Sequence, residues 1–390
     1  MRIGIDGSCW ANQRGFGRFT RCLVSEMVAR HPHHDYVLVM DAPSAASVDG
    51  LPAGVDVRTV EVGVSPTRAA AADGSRRIGD MARMGYAARQ VVSDAFFFPA
   101  TYSYYPVPGR AVVVTVHDAI AEELPELVVP QRMDRLRWLL KQKVALWQAR
   151  HIITVSDAAR ADVERRLGVA ADRLSVVHEA PAPVFVPLDR HLAAERIARF
   201  GLTALEQYFV YVGGISPHKN LERLVQAFDE VRRDRPELRL VLVGEADDDP
   251  FLSSTESVRA AIAATGAPEA ITFTGYVTDD ELVALYSAAV GSVLPSLGEG
   301  YGLTAAESAA CGTPVVASDL PVLRELLGEA GVFVDPLDPA SIADGLRSIV
   351  NDEHLRALKA RAGVERAQTW SWQGAADIVV RVLEEAAARA

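Results

Sequence analysis

Cysteine is scarce in this sequence. Cys9, Cys22 and Cys311 are the three among 390 residues, and their separations match no metal-binding spacing. An odd number of cysteines does not suggest a disulfide framework. We therefore interpret them as small buried hydrophobic residues of a protein that folds in a reducing cytosol.

Positive charge and long apolar segments are also in short supply. The formal net charge is -11, which disfavours a general nucleic-acid binder, because such proteins need a basic surface to displace counterions. No apolar stretch approaches the roughly 20 residues of a membrane span. The start, MRIGIDGS, interrupts the apolar run of an export signal with Arg2 and Asp6. We expect a cytoplasmic protein that binds a small ligand or a protein.

Short β-branched segments alternating with longer helical patterns are abundant. The first half contains RIGID, DYVLVM, AVVVTV and HIITV, and the second half contains YFVYVGG, LRLVLVG, AITFTG, GSVLPS and TPVVAS. This alternation is typical of βαβ units and parallel sheets. The sequence predicts an α/β fold with two Rossmann-like doubly wound domains.

A proline-rich segment separates the two series of strands. EAPAPVFVPLD, Glu179 to Asp189, holds three prolines and is the candidate linker. We predict an N-terminal domain at 1–182 and a C-terminal domain at 183–370. The helix expected at 371–390 either caps the second domain or crosses back to the first.

The segment LGEGYGLTAAESAACGTP places two carboxylates around a glycine-rich turn that runs into a helix. Ligands of doubly wound sheets bind beyond the carboxyl ends of the strands, so the predicted site is a cleft between the domains. Glu299 is expected in the loop and Glu307 about one turn into the helix. Carboxylates only accept hydrogen bonds, so they suit the hydroxyls that flank a diphosphate in a nucleotide-sugar. The alternative is a helix start stabilised by acidic residues.

The same segment offers backbone amides to a phosphate. The first amides of a helix have no intrahelical partner and lie at the positive end of its dipole. We expect the amides of Gly302, Leu303 and Thr304 to receive the diphosphate.

The spacing Glu-x7-Glu in SLGEGYGLTAAESAACGTPVVAS resembles the signature of the retaining glycosyltransferases of family 4, which have the two-domain GT-B fold. Further matching segments occur in the family's order: RGFGRF, VTVHD, VGGISPHKN and FTGYVTDDEL. The resemblance covers nearly the whole chain. It implies that Glu299 binds the transferred sugar and Glu307 the ribose.

The resemblance also implies roles for residues of the loops. Lys219 neutralises the leaving diphosphate, and Gly214, His218 and Val277 belong to the donor site. Many relatives carry an arginine shortly before the lysine, and this chain does not. His218 or Arg18 is a candidate to replace its charge.

The first half contributes the remaining candidate residues. Glycines let the backbone approach a ligand closely. In the family, the loop that contains Gly15 and Gly17 borders the diphosphate and the acceptor, and Arg18 of this loop is a candidate residue of the acceptor site. The resemblance gives His117 a contact with the donor sugar, while Asp118 orients its loop. A core histidine bonded to backbone is the alternative for His117.

Three further features are ambiguous from sequence. Tyr102 and Tyr104 suit the apolar faces of an acceptor sugar, or core packing. The acidic run Asp247 to Asp249 suggests a divalent cation or a solvated loop, and we favour the loop. The segment 132–150 is rich in basic residues and tryptophan, as interfacial helices are, but its apolar stripe predicts a core-facing helix; the stripe consists of Leu136, Leu140, Val144 and Trp147.

The resulting prediction is a metal-independent retaining hexosyltransferase without a cofactor. Its donor is a nucleotide-sugar, with GDP-mannose or a UDP-linked glucose or N-acetylglucosamine as candidates. Its acceptor is a sugar, lipid or small molecule, in polysaccharide, glycolipid or metabolite biosynthesis, and peripheral contact with a membrane is compatible with a lipid acceptor. The alternatives are a nucleotide-sugar epimerase of the same fold and a non-catalytic sugar-nucleotide-binding protein.

Overall fold

The computed structural model describes residues 1–12, 15–46, 48, 50–63, 78–203, 206–244 and 254–389. The alanine-rich composition of TRAAAADGSRR, Thr67 to Arg77, predicts a flexible loop; this segment and the acidic run Asp247 to Asp249 lie outside the described residues. The chain divides into two compact units: unit 1 comprises Met1–Glu179 and Ser371–Ala390, and unit 2 comprises Ala180–Trp370.

The strands, in chain order, are β1 Arg2–Asp6, β2 Asp35–Asp41, β3 Val55–Val60, β4 Ala95–Phe98, β5 Ala111–Val116, β6 Ala149–Thr154, β7 Leu174–Val176, β8 Tyr208–Val212, β9 Arg239–Val243, β10 Ile271–Gly275, β11 Gly291–Leu294, β12 Val315–Ser318 and β13 Gly331–Val334.

The α-helices, in chain order, are α1 Gly15–Arg30, α2 Ala42–Ala46, α3 Ile78–Gln90, α4 Ile120–Glu123, α5 Pro125–Val128, α6 Arg132–Gln148, α7 Asp157–Leu167, α8 Arg190–Ile197, α9 Leu221–Asp234, α10 Thr255–Ala263, α11 Asp279–Ala288, α12 Leu303–Ala310, α13 Pro321–Leu327, α14 Pro339–Asn351, α15 Glu353–Ala367 and α16 Trp372–Ala388. Among the described residues, none of these helices is long and apolar enough to span a membrane.

Both units contain a parallel sheet with the same strand order. Unit 1 is ordered β3-β2-β1-β4-β5-β6-β7, and unit 2 is ordered β10-β9-β8-β11-β12-β13. Strand order reverses where β1 meets β4 and where β8 meets β11, and loops after strands at such a switch point form the ligand sites of doubly wound sheets. The candidate ligand site of each unit is therefore expected beside its switch point.

The central strands are buried on both faces because helices cover both sides of each sheet. All six residues of β5, AVVVTV, are buried, as expected for a strand inside a parallel sheet. Helix α9 packs against the unit 2 sheet with one apolar face, which includes Leu224, Val225 and Phe228. Helix α11 begins with a capping box in which the Thr278 hydroxyl and the Glu281 carboxylate bond to each other's backbone amides.

The C-terminal helix α16 packs on α1 within unit 1. Phe19 of α1 lies 5.8 Å from Trp372 of α16, measured between ring centroids. At the other end, Arg30 forms two hydrogen bonds with Asp377, of 2.8 and 2.6 Å. Buried rings and a bidentate ion pair thus hold the last helix to the first.

Helix α6 corrects one expectation from the sequence. Its buried face is formed by Trp138, Gln142, Ala145 and Leu146. Of the stripe predicted to face the core, Leu136 is 60% exposed, Leu140 63% and Trp147 85%, while Val144 is half-buried. Apolar residues occur on two sides of this helix. The buried side is the one that carries Trp138, Ala145 and Leu146, not the one that carries Leu136 and Leu140.

Candidate active site

The centre of the candidate site is an ion pair at the switch point of unit 2. The loop after β8 carries Lys219 and the loop after β11 carries Glu299, so the two neighbouring strands bring these side chains together. Lys219 Nζ lies 2.7 Å from Glu299 Oε1, and Ser296 Oγ donates a 2.7 Å hydrogen bond to the same oxygen. Within the described residues both contacts of the carboxylate fall on Oε1.

Glu299 is ionised in this setting. Burial alone would raise the pKa of a carboxyl group, but the charge of Lys219 and the hydrogen bonds from Lys219 and Ser296 outweigh burial and hold the pKa of Glu299 below its usual value. The site therefore contains a compensated pair of charges at neutral pH.

His218 adds no positive charge to this pair. Burial, and then the neighbouring Lys219 ammonium, lower the pKa of His218 to about 3. Its ring Nδ1 lies 3.3 Å from Ser216 Oγ, and its carbonyl accepts a 2.8 Å hydrogen bond from the Leu297 amide. A neutral imidazole can hydrogen-bond a phosphate but cannot replace the charge of the absent arginine.

Asn220 joins the loops that carry the ion pair. Its Nδ2 donates to the carbonyls of Pro295, at 2.9 Å, and Pro336, at 2.7 Å. Its backbone has a φ of 62°, the left-handed region that asparagine tolerates better than most residues. Asn220 thus fixes the end of the Lys219 loop against the loops that follow β11 and β13.

Glycine is required where the loop after β11 enters α12. Gly302 has a φ of 92°, and a Cβ atom there would lie 2.7 Å from Leu323 Cδ2. The carbonyl of Gly302 accepts from the amides of Ala305 and Ala306, which begins the helical hydrogen bonds. The amides of Leu303 and Thr304 lie in the first turn, as the sequence predicts for a phosphate-binding helix start.

The second glutamate of the signature lies inside α12. Glu307 is 2% exposed. Burial, and then the Glu307 carboxylate, raise the pKa of Cys311 to about 12, so this thiol is unreactive at neutral pH. Two further predicted donor residues have internal contacts: Val277 is a buried core residue, and the Gly214 carbonyl accepts a 2.6 Å hydrogen bond from Tyr211.

His117 lies at the carboxyl edge of the unit 1 sheet, directly after β5. Its Nε2 lies 2.8 Å from the Pro99 carbonyl, and its Nδ1 lies 3.2 Å from Glu179 Oε1. The rings of Phe16 and Phe19 pack edge-on against it, with centroids 5.0 and 4.7 Å away. These are the contacts of an internally bonded histidine, so the donor-sugar contact of His117 stays a prediction.

The partners of His117 define where its protons lie. A carbonyl only accepts hydrogen bonds, so Nε2 carries a proton. Nδ1 faces a carboxylate oxygen, and a hydrogen bond there needs a second proton, on the ring or on Glu179. Both side chains are more than nine-tenths buried, so the contact between them is shielded from water.

One of the two glycines at the start of α1 is explained by packing within unit 1. A Cβ atom on Gly17 would lie 1.8 Å from the Asn12 carbonyl oxygen, whereas one on Gly15 would meet open space. Gly17 thus permits the first turn of α1 to pack on the preceding loop. Gly15 is exposed and Arg18 is half-buried, and their ligand contacts stay predictions.

The two candidate acceptor tyrosines are both buried, in different hydrophobic clusters of unit 1. Tyr102 packs between Phe16 and Trp138, with ring centroids 4.6 and 5.1 Å away. Tyr104 is 1% exposed and donates a 2.5 Å hydrogen bond to Gln148. Tyr104 therefore belongs to the core, and the geometry lends no support to an acceptor role for it.

Sequence reasoning did not identify three residues of these sites. Asn220 and Ser296 occur within the quoted motifs and could have been found from the left-handed preference of asparagine and from the Ser-x-x-Glu spacing. Glu179 was assigned to the linker, and nothing in its local sequence links it to His117, which is 62 positions away.

Two family models match the chain, one in each unit. The model of glycosyltransferase family 4 matches residues 14–180, and the model of glycosyl transferases group 1 matches residues 195–366.

Among curated proteins, the O-antigen chain mannosyltransferase B of Escherichia coli is 31% identical over 275 residues, which are 69% of each chain. A D-inositol 3-phosphate glycosyltransferase of Acidothermus cellulolyticus is 33% identical over 228 residues, which are 57% of this chain and 50% of the relative. The second match thus spans half of that relative's length.

Solved structures share the fold at low identity. The sucrose-phosphate synthase of Thermosynechococcus elongatus has a TM-score of 0.78 at 20% identity, over 100% of this chain and 99% of that one. Anabaena HepE, solved in complex with UDP-glucose, has a TM-score of 0.74 at 17% identity, over 98% and 99%. These likenesses confirm the predicted GT-B fold with its two Rossmann-like units.

Proposed function

The chain belongs to glycosyltransferase family 4, and on that premise we propose that it is a retaining transferase that moves a hexosyl group from a nucleotide diphosphate donor to an acceptor hydroxyl. The observation that carries the proposal is the Lys219–Glu299 pair of 2.7 Å at the switch point of unit 2. Unit 2 is the proposed donor unit, and unit 1 the proposed acceptor unit.

The ion pair suits the reacting end of such a donor. An ammonium has three donor protons, so Lys219 can keep Glu299 and also bond a phosphate oxygen. With Oε1 occupied by Lys219 and Ser296, Oε2 of Glu299 is available to accept sugar hydroxyls. The pair thus binds the two groups on either side of the bond that breaks.

Charge develops on the diphosphate as it leaves. Lys219 and the first amides of α12 are positive groups held in place before the reaction, and such preorganised groups stabilise a leaving anion more in its transition state than in the ground state. This supports metal-independent departure. For retention we propose that the acceptor attacks the face from which the diphosphate leaves, with the diphosphate as the base.

The relatives indicate which sugar to test first. The mannosyltransferase that aligns over 69% of the chain favours a mannosyl donor such as GDP-mannose, with UDP-linked glucose or N-acetylglucosamine as alternatives. The proposed acceptor is a hydroxyl of a growing glycan, a glycolipid or a metabolite.

A panel of nucleotide-sugars tests this proposal. The protein is incubated with each donor, with EDTA in a parallel set, and release of nucleotide diphosphate and free or transferred sugar is followed by chromatography. Slow release from one donor, unchanged by EDTA, is expected. Conversion of the donor into a nucleotide-sugar that carries an epimer of the original sugar would indicate an epimerase. Binding without any turnover would indicate a sensor.

The exposed side of α6 supports a further part of the proposal, contact with an anionic membrane that carries a lipid acceptor. Leu136, Leu140 and Trp147 are exposed, and the basic residues Arg132 and Lys143 are exposed on the same helix. Apolar residues beside basic ones are typical of helices that lie on anionic lipid surfaces.

Vesicle sedimentation tests this contact. We expect the protein to sediment with phosphatidylglycerol vesicles but not with phosphatidylcholine vesicles, and the double substitution Leu136→Ser, Leu140→Ser to abolish it. Val57→Ser, at an exposed apolar residue of β3 that is 40% exposed, is the control. Equal sedimentation of parent and double variant would refute the contact.

A further inference from the structure

Three histidines occur within four residues, His31 to His34, in the segment between α1 and β2. This histidine segment faces the C-terminal helix α16. His31 Nε2 lies 2.9 Å from Asp377 Oδ1, and His34 Nε2 lies 3.1 Å from Glu384 Oε1. Each of these two histidines thus meets a carboxylate on a different turn of α16.

His33 brings a third potential ligand to the second of these contacts. One ligand atom from each of His33, His34 and Glu384 lies within 4.8 Å of the other two. Imidazole nitrogens and carboxylate oxygens are zinc ligands, and in a tetrahedral site with bonds of about 2.0–2.1 Å, neighbouring ligand atoms lie about 3.3 Å apart. The contact between His34 and Glu384 already has nearly this spacing.

The burial of the three residues favours completion of such a site. His34 is 8% exposed, and its Nδ1 lies 3.2 Å from the Met1 nitrogen, which fixes the ring and directs Nε2 towards Glu384. His33 and Glu384 are exposed, so their side chains can turn towards an ion at small cost. One fixed ligand and two adjustable ones would meet at the surface of α16.

The cluster lies at the amino edge of the unit 1 sheet. His34 precedes β2, and the open cavity of about 660 Å³ that it and Glu384 line also includes Asp94 before β4 and Arg110 before β5. His117, by contrast, follows β5 at the opposite edge. An ion bound by the cluster would have a coordination position open to this cavity, away from the edge proposed for the reaction.

We propose that His33, His34 and Glu384 bind a divalent transition-metal ion of the zinc class. The ion links the segment between α1 and β2 to α16, and so fastens the C-terminal helix to unit 1. Imidazole ligands select zinc over magnesium, which prefers oxygen ligands. The site plays no part in transfer, so turnover at 25 °C is expected to survive removal of the ion.

Isothermal titration calorimetry of the untagged full-length chain with zinc chloride tests the proposal. We expect one zinc ion per chain, no heat from magnesium chloride, and a rise in the unfolding temperature with zinc. His33→Ala and Glu384→Gln are each expected to weaken zinc binding at least tenfold, because even outer-shell partners of metal sites are worth about 10–100-fold.

His31→Ala is the matched control. It removes a histidine and a contact with α16, the one to Asp377, but leaves all three proposed ligands. Its zinc affinity should therefore stay within about twofold of the parent value, a much smaller change than the tenfold loss expected when a ligand is removed. Absence of zinc binding by the folded parent would overturn the proposal. So would an equal affinity of the parent, His33→Ala and Glu384→Gln, or a loss in His31→Ala as large as theirs.

Discussion

Lys219 and Glu299, predicted to bind opposite sides of the scissile bond, are hydrogen-bonded to each other at 2.7 Å. The Glu299 carboxylate thus contacts the same ammonium that is proposed to bind the diphosphate. Removing Glu299 leaves the proposed bond from Lys219 to the phosphate in place, whereas removing Lys219 leaves the Glu299 carboxylate beside the phosphate without a positive charge. The consequences of substitution at the two positions are expected to differ.

The two glutamates of the signature should separate sugar binding from nucleotide binding. Glu299→Ala is expected to leave affinity for the free nucleotide diphosphate nearly unchanged and to reduce turnover. Glu307→Ala is expected to weaken binding of both the nucleotide-sugar and the free nucleotide, because the ribose occurs in both. Calorimetry with circular dichroism as a folding control measures this, and the reverse order would refute the assignment of the two ends.

Asn220 should contribute to stability through two separable effects. Asn220→Gly keeps the φ of 62° accessible but removes three side-chain hydrogen bonds, the two donated to the Pro295 and Pro336 carbonyls and the one accepted from Arg223, with an expected cost of about 1–3 kcal/mol in unfolding free energy. Asn220→Ala should cost about 1–2 kcal/mol more, because a Cβ atom strains this conformation. Urea unfolding compares them. An alanine variant as stable as the glycine variant would contradict the strain.

His218 should make the protein less stable in mild acid. Its pKa of about 3 lies below the unfolded value of 6.5, so below pH 6.5 the unfolded chain binds a proton that the folded chain does not. This lowers the free energy of unfolding, by up to about 1.4 kcal/mol for each pH unit below 6.5. The free energy of unfolding of the parent should therefore fall more than that of His218→Gln between pH 7.5 and pH 5. A pH-independent difference would show that His218 titrates normally.

The buried pair of His117 and Glu179 should behave as a coupled unit. A double-mutant cycle with His117→Gln and Glu179→Gln, measured by urea unfolding, is expected to give an interaction energy of at least about 1 kcal/mol, as contacting residues do. Additive effects, within about 0.5 kcal/mol, would mean that the 3.2 Å contact contributes no stability.

The sequence was sufficient for the features that depend on order along the chain. The alternating segments predicted the parallel sheets, and the positions of Lys219 and Glu299 in loops that follow strands predicted that both lie at a carboxyl edge. The strand order then explains why they meet, because β8 and β11 are neighbours at the switch point.

Features that depend on which surface faces which neighbour were not accessible from sequence. Helix α6 has apolar residues on two sides, and periodicity cannot decide between Leu140, which is exposed, and Trp138, which is buried. The contact of Glu179 with His117 depends on how the chain after β7 returns past β5. The ion pair between two residues with separate predicted roles depends on side-chain geometry, which a motif does not encode.

The turnover of Lys219→Ala tests the central claim most directly. The parent, Lys219→Ala and Lys219→Arg are compared at saturating donor, with circular dichroism to verify folding. Loss of a preorganised charge should lower kcat by about 10²-fold or more, and arginine should restore little, because its planar fork does not reproduce a compact ammonium paired with Glu299. A folded Lys219→Ala enzyme with kcat within about threefold of the parent, far short of the loss expected for such a group, would contradict the account.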